Sequence, residues 1–164
     1  MSILPNSLGT FNYRSVWKIL PVTTKLFTPT PDGPTLCVLC QKQQETFEHL
    51  FLQCAAVIPI WTYISDIIKR ITGAQLKPTS ELCIQFNFPQ QVAQHTDLLV
   101  LLYTMTRHTI WKARNAVRFD GHTLNPGGIR KMLNKALKYR IANEKRKNTS
   151  PYQETLNKLS DTMD

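Results

Sequence analysis

Apolar positions recur with a helical period over much of the second half of the chain. Leu99, Leu102, Thr106, Ile110, Ala113 and Val117 fall on one narrow stripe at 100° per residue. They predict a helix over 97–119, with Asp97 as its N-cap and Asp120-Gly121 as its end. Asn125-Pro126 then opens a second helix over 126–147, with Ile129, Met132, Leu133, Ala136, Leu137 and Ile141 as its inner face. The two stripes and the short link between them predict a helical hairpin. Upstream, Ile60, Ile64, Ile67, Ile68 and Ile71 predict a helix within 55–72, started by Pro59 and stopped by Gly73. Glu81 to Phe88 alternates enough to suggest a short strand. Five prolines interrupt residues 1–36, which read as an irregular lead-in with a helical turn or two at most between Tyr13 and Leu20.

These elements divide the chain into four stretches: an irregular proline-rich lead-in at 1–36, a cysteine-rich segment plus helix at 37–72, a connector and basic helical hairpin at 73–147, and a polar, frayed tail at 148–164. The expected class is mainly α. The longest apolar run, Leu98 to Tyr103, is far too short for a membrane span, which needs roughly 20 residues. Met1 to Leu20 lacks the charged start and apolar block of a secretory signal, so an intracellular protein is expected, nuclear or cytoplasmic. No glycine-rich phosphate loop or acid–base pair stands out, and neither an enzyme nor a small-molecule substrate is expected.

Charge changes the picture by its placement. The 164 residues carry 20 Lys/Arg and 11 Asp/Glu, net +9, but residues 105–150 alone hold 12 basic and 2 acidic side chains. A near-neutral body followed by so basic a segment points to a polyanionic partner.

Three of the four cysteines cluster as Cys37-x2-Cys40-x8-His49-x4-Cys54. Two thiolates three apart fit one tight turn, and an imidazole presented by a short helix over 46–53, with the third thiolate that follows it, completes a tetrahedron. This is the donor set of a closed, structural zinc site. A redox pair, a disulfide and chance clustering are the alternatives, and the first two lack the strand-turn-helix context or the oxidising compartment they require. Cys83 stands apart as a small buried apolar residue. His95, His108 and His122 have no partners at ligand spacing.

The stretch Glu45-Thr46-Phe47-Glu48-His49-Leu50-Phe51, with Cys37, Cys40 and Cys54 around it and Trp61 seven residues on, resembles the reverse-transcriptase zinc-binding region. That region lies at the C-terminal end of the polymerase polyproteins of non-LTR (LINE-type) retrotransposons. Ile110-Trp111-Lys112-Ala113-Arg114-Asn115 resembles the W-x-x-R-N helix that follows it, and Val16-Trp17-Lys18 its lead-in. The resemblance implies one structural zinc ion and a non-catalytic module that holds template RNA or target DNA, in company with a polymerase. The polymerase's paired aspartates are not in this sequence.

A second stripe on the 97–119 helix joins Tyr103, Arg107, Trp111, Arg114 and Arg118. Arginines interleaved with rings suit a nucleic-acid strand, through phosphate pairing and base stacking. Trp111 is equally suited to anchoring a core between helices. Arg130, Lys131, Lys135 and Lys138 line the outer face of the second helix, where the alternative is a merely solvated surface. RNA or DNA bound largely through phosphates is the expected partner. A zinc-stabilised protein-interaction module, or a decayed element fragment, are the competing readings. Chelation is expected to loosen 37–72 first and to leave the hairpin partly folded.

Overall fold

The computed structural model describes residues 4–22, 36–146 and 153–163. Its longest element is a 25-residue helix, Thr96–Asp120, free of glycine and proline. We number the helices α1 (Asn6–Val16), α2 (Ile58–Thr72), α3 (Ser80–Cys83), α4 (Thr96–Asp120), α5 (Pro126–Lys145) and α6 (Gln153–Met163). A π-helical turn, His49–Gln53, and a 3-10 turn, Gln90–His95, lie between them. No strand occurs among the described residues; one isolated antiparallel bridge joins Leu36 to Gln44. The mainly α class holds.

α4 is the axis of the molecule. Leu98, Leu99, Leu101, Leu102, Tyr103, Thr104, Met105, Thr106 and Arg107 are all buried, so the stretch 101–107 is enclosed on every side. α1, α2, α5 and the π-helical turn all pack on it. A helix with no exposed face is a buried one whatever its polar content. Gly121 ends it at φ 68°, the left-handed conformation that glycine adopts without penalty. Its start differs from expectation. The helix begins at Thr96 without a side-chain cap, and Asp97 sits in the first turn, where a carboxylate still complements the helix dipole. α5 opens as expected: Asn125 accepts a hydrogen bond from the Gly128 amide at 2.9 Å, and Pro126 occupies the first turn. α2 ends at Gly73 with φ 75°.

Three expectations fail. Residues 6–16 form a helix with Leu8, Phe11 and Ser15 buried, not an irregular lead-in. The 81–88 stretch is not extended: Thr79 caps a helical turn by accepting from the Leu82 amide, and Phe86 lies in the left-handed region at φ 57°. The tail is not frayed over 153–163, which fold as α6 against α2 and α5 with Leu156 and Leu159 fully buried. Residues 1–3 and 23–35 of the lead-in, residue 147 at the end of the expected hairpin, and 148–152 and 164 of the tail lie outside the described residues.

Candidate metal centre and basic surfaces

The knuckle at 37–44 is held by its own backbone. The Gln41 amide donates to the Cys37 carbonyl at 2.7 Å, and the Cys37 amide to the Gln43 carbonyl at 2.8 Å. Gln41 takes a left-handed φ of 53° to make the reversal. His49 and Cys54 are five residues apart, which an α-helix would place about 140° from each other. The π-helical turn widens that spacing, and the Cys54 amide donates to the His49 carbonyl at 2.8 Å, closing both side chains onto one side. π-turns of this kind concentrate at functional sites. Thr46 accepts from the His49 amide at 3.0 Å and fixes the entry to the turn.

The ligand atoms of Cys37, Cys40, His49 and Cys54 all lie within 4.8 Å of one another. The Cys37 and Cys54 sulfurs are 3.8 Å apart, and Cys40 Sγ is 3.3 Å from His49 Nε2. Zinc with sulfurs at about 2.3 Å has a tetrahedral edge of about 3.8 Å, so the cluster is already at coordination size. Cys37, Cys54 and His49 are buried and Cys40 is half-buried, which leaves little room for a substrate position. The hydrogen bond between Cys54 and Cys37 pulls the Cys37 thiol down to about 5 and pushes the Cys54 thiol up. Two sulfurs sharing one proton is the arrangement that a divalent cation replaces. Cys83 takes no part: burial raises its thiol to about 12.

Residues 2–61 match the family described as zinc-binding in reverse transcriptase. This segment is a reverse-transcriptase zinc-binding domain. Its four clustered side chains form the donor set of a structural zinc site. No curated protein and no solved structure matches the chain significantly. The zinc-binding domain ends in the first turn of α2 at Trp61, whose Nε1 donates to the Phe51 carbonyl at 2.6 Å. It is an accessory region defined by metal binding, not a catalytic one. Among the described residues, no helix is long and apolar enough to cross a membrane.

Beyond Trp61 the domain is joined to α4. Arg114 donates from Nε and Nη2 to one oxygen of Glu45, at 3.1 and 2.8 Å, with both side chains essentially unexposed. Phe51 stacks on Trp111 with ring centroids 6.5 Å apart, and Arg114 lies over the Trp111 ring at 5.1 Å. The two motifs that carried the resemblance therefore meet each other.

That contact corrects the stripe expected to face nucleic acid on α4. Arg107 and Arg114 are fully buried. Arg107 donates to Ser15 Oγ at 2.6 Å and to Asn12, and lies over the Phe86 ring at 5.2 Å. Desolvation pulls its guanidinium down to about 10. Tyr103 is buried too, against Trp61 and Phe88. Trp111 and Arg118 are half-buried. Arg130, Lys131, Lys135 and Lys138 do lie exposed on α5, and Arg130 stacks over Tyr63 at 4.8 Å. Phe119, off that stripe near the end of α4, is 67% exposed, and the other exposed aromatic residues lie away from α4. Tyr13 on α1 and Trp17 at its C-cap are 60% and 66% exposed, and Tyr139 on α5 is 69% exposed. Their signal in the sequence is an aromatic pair at i, i+4 with Arg14 and Lys18 beside it.

Proposed function

We propose that the chain is a non-catalytic nucleic-acid-holding module of a non-LTR retrotransposon reverse transcriptase, bound to RNA or DNA through phosphates. The observation that carries this is the outer face of α5. Arg130, Lys131, Lys135, Lys138, Lys145 and Arg146 are all exposed there. At 100° per residue they span an arc of about 160°. The helix's one acid, Glu144, falls outside that arc, is buried, and is paired with Arg140 at 2.6 Å. A solvated face ordinarily mixes both signs; a face with cations alone suits a phosphate backbone. The zinc site supports this role by fixing the domain against α4, leaving the charged helix as the outward element.

The test is binding of labelled RNA by the full, zinc-loaded chain over a range of salt. Affinity is expected to fall log-linearly with salt. Replacing Lys131, Lys135 and Lys138 together with Ala should flatten the slope by roughly 2–3 units, at about 0.7–0.9 per phosphate contact. Little dependence on RNA sequence is expected, since phosphate contacts position without reading bases. A triple variant that binds RNA as tightly as the parent at low salt refutes the proposal.

A further inference from the structure

We infer that the outer face at the C-terminal end of α1 is a stacking platform for unpaired nucleobases, formed by Tyr13 and Trp17 with Arg14 to one side. Tyr13, Val16, Trp17 and Ile19 are large apolar side chains exposed within seven consecutive residues. The i, i+4 spacing sets the Tyr13 and Trp17 rings side by side, centroids 6.3 Å apart and tilted by 51°. The helix beneath them is anchored. Leu8, Phe11 and Ser15 are buried, Phe11 meets His108 edge-on at 4.9 Å, and Arg107 donates to Ser15 and Asn12. The rings thus stand at the end of an element whose other face is fixed against α4.

Charge selects the ligand class. Described residues 4–22 contain Arg14 and Lys18 and no acid. Lys18 is paired with Glu48, so Arg14, which is exposed, is the cation that faces the ligand. Aromatic faces rimmed by positive charge suit single strands, whose bases offer open ring faces beside phosphates. Duplex bases are already stacked on each other and offer none. An apolar protein partner would not need the cation. The inference shares its ligand class with the function proposed above but uses a different helix, so the two can fail separately.

Trp17 makes the test direct. Trp61 is buried and Trp111 is half-buried, so Trp17 is the exposed indole. The full, zinc-loaded chain is titrated with oligothymidylate and, separately, with heparin, a polyanion without bases. Tryptophan emission and anisotropy are followed together. Oligothymidylate is expected to quench the emission, and Trp17→Phe to abolish the quench while keeping most of the affinity. Heparin is expected to bind without quenching. Tyr13→Ala with Trp17→Ala should weaken oligothymidylate binding by about tenfold or more and leave heparin binding unchanged. Unchanged oligothymidylate affinity in that double variant overturns the inference, as does an equal loss for both ligands. If the double variant instead turns a dimer into a monomer with nucleic-acid affinity intact, the face is a protein interface and the inference is wrong. Should the α5 lysine variant bind normally while the quench persists, the α5 reading fails and this one stands.

Discussion

Glu45 and Arg114 place opposite charges in the interior, and their value lies in what happens when one is lost. The pair's attraction largely offsets the desolvation of both ions, but a lone buried guanidinium has no such offset. Glu45→Ala should therefore cost about 3–5 kcal/mol, measured by urea unfolding of zinc-loaded protein. Glu45→Met combined with Arg114→Leu should cost clearly less than the two single changes summed; additivity would show that the pair is not coupled. His108 supplies a pH test. Burial first, and Lys112 second, lower its pKa below the usual imidazole value. The unfolded chain then takes up a proton near about 6.5, where the folded chain does not. This contribution to stability is present above that pH and is lost as pH falls through the depressed folded value. His108→Gln should flatten the acid side of the stability profile relative to the parent, at equal zinc loading. Parallel profiles would mean that His108 titrates alike in both states.

At the scale of elements, the metal site and α4 form one unit. Glu45 and Phe51 belong to the knuckle and its π-helical turn, while Arg114 and Trp111 belong to α4. Removing zinc releases the turn that holds both contacts, and so uncovers the C-terminal half of α4 as well. Hydrogen exchange after chelation should show residues 107–118 losing protection together with 37–54, while 129–141 keep theirs longer. Unchanged protection at 107–118 would show α4 to be independent of the metal, as the stripe pattern alone suggests. The long elements were legible because their burial is periodic: Ile129, Leu133, Leu137 and Ile141 are buried as the period requires. The metal ligands were legible because spacing constrains them. The shorter elements were not. Gly9 and Pro5 mark α1 as a weak helix by propensity, and its docking on α4 overrides that. Leu82, Ile84, Phe86 and Phe88 alternate like a strand, but Cys83 and Ile84 are the buried pair, and adjacent residues cannot share one face of a strand.

For the whole molecule, the governing fact is that α4 is surrounded. Two stripes on one helix fit either a surface helix with a functional polar face or a central helix covered by several partners. Local sequence does not distinguish them, because part of the cover comes from far along the chain: α1 meets α4 across 92 to 95 residues, as Arg107 with Ser15 and Asn12 shows. α6 closes the assembly from the opposite end of the chain. It packs on α2 and α5, burying Leu156 and Leu159 completely, and Arg70 reaches the Thr162 carbonyl at 3.4 Å. A segment that reads as polar thus completes the core. Leu156→Ala and Leu159→Ala should each destabilise the protein by about 2–5 kcal/mol, the cost of a cavity at a fully buried leucine. Ending the chain after Arg146 should lower the melting temperature further. Zinc content should stay at one per chain in all three variants, because the turn that carries His49 packs chiefly on α2 and α4. Thermal unfolding with metal stoichiometry on the same samples reads both. A truncated chain as stable as the parent would show that α6 adds nothing to the core, and loss of zinc on truncation would show that the metal site depends on the packing at the far end of the molecule.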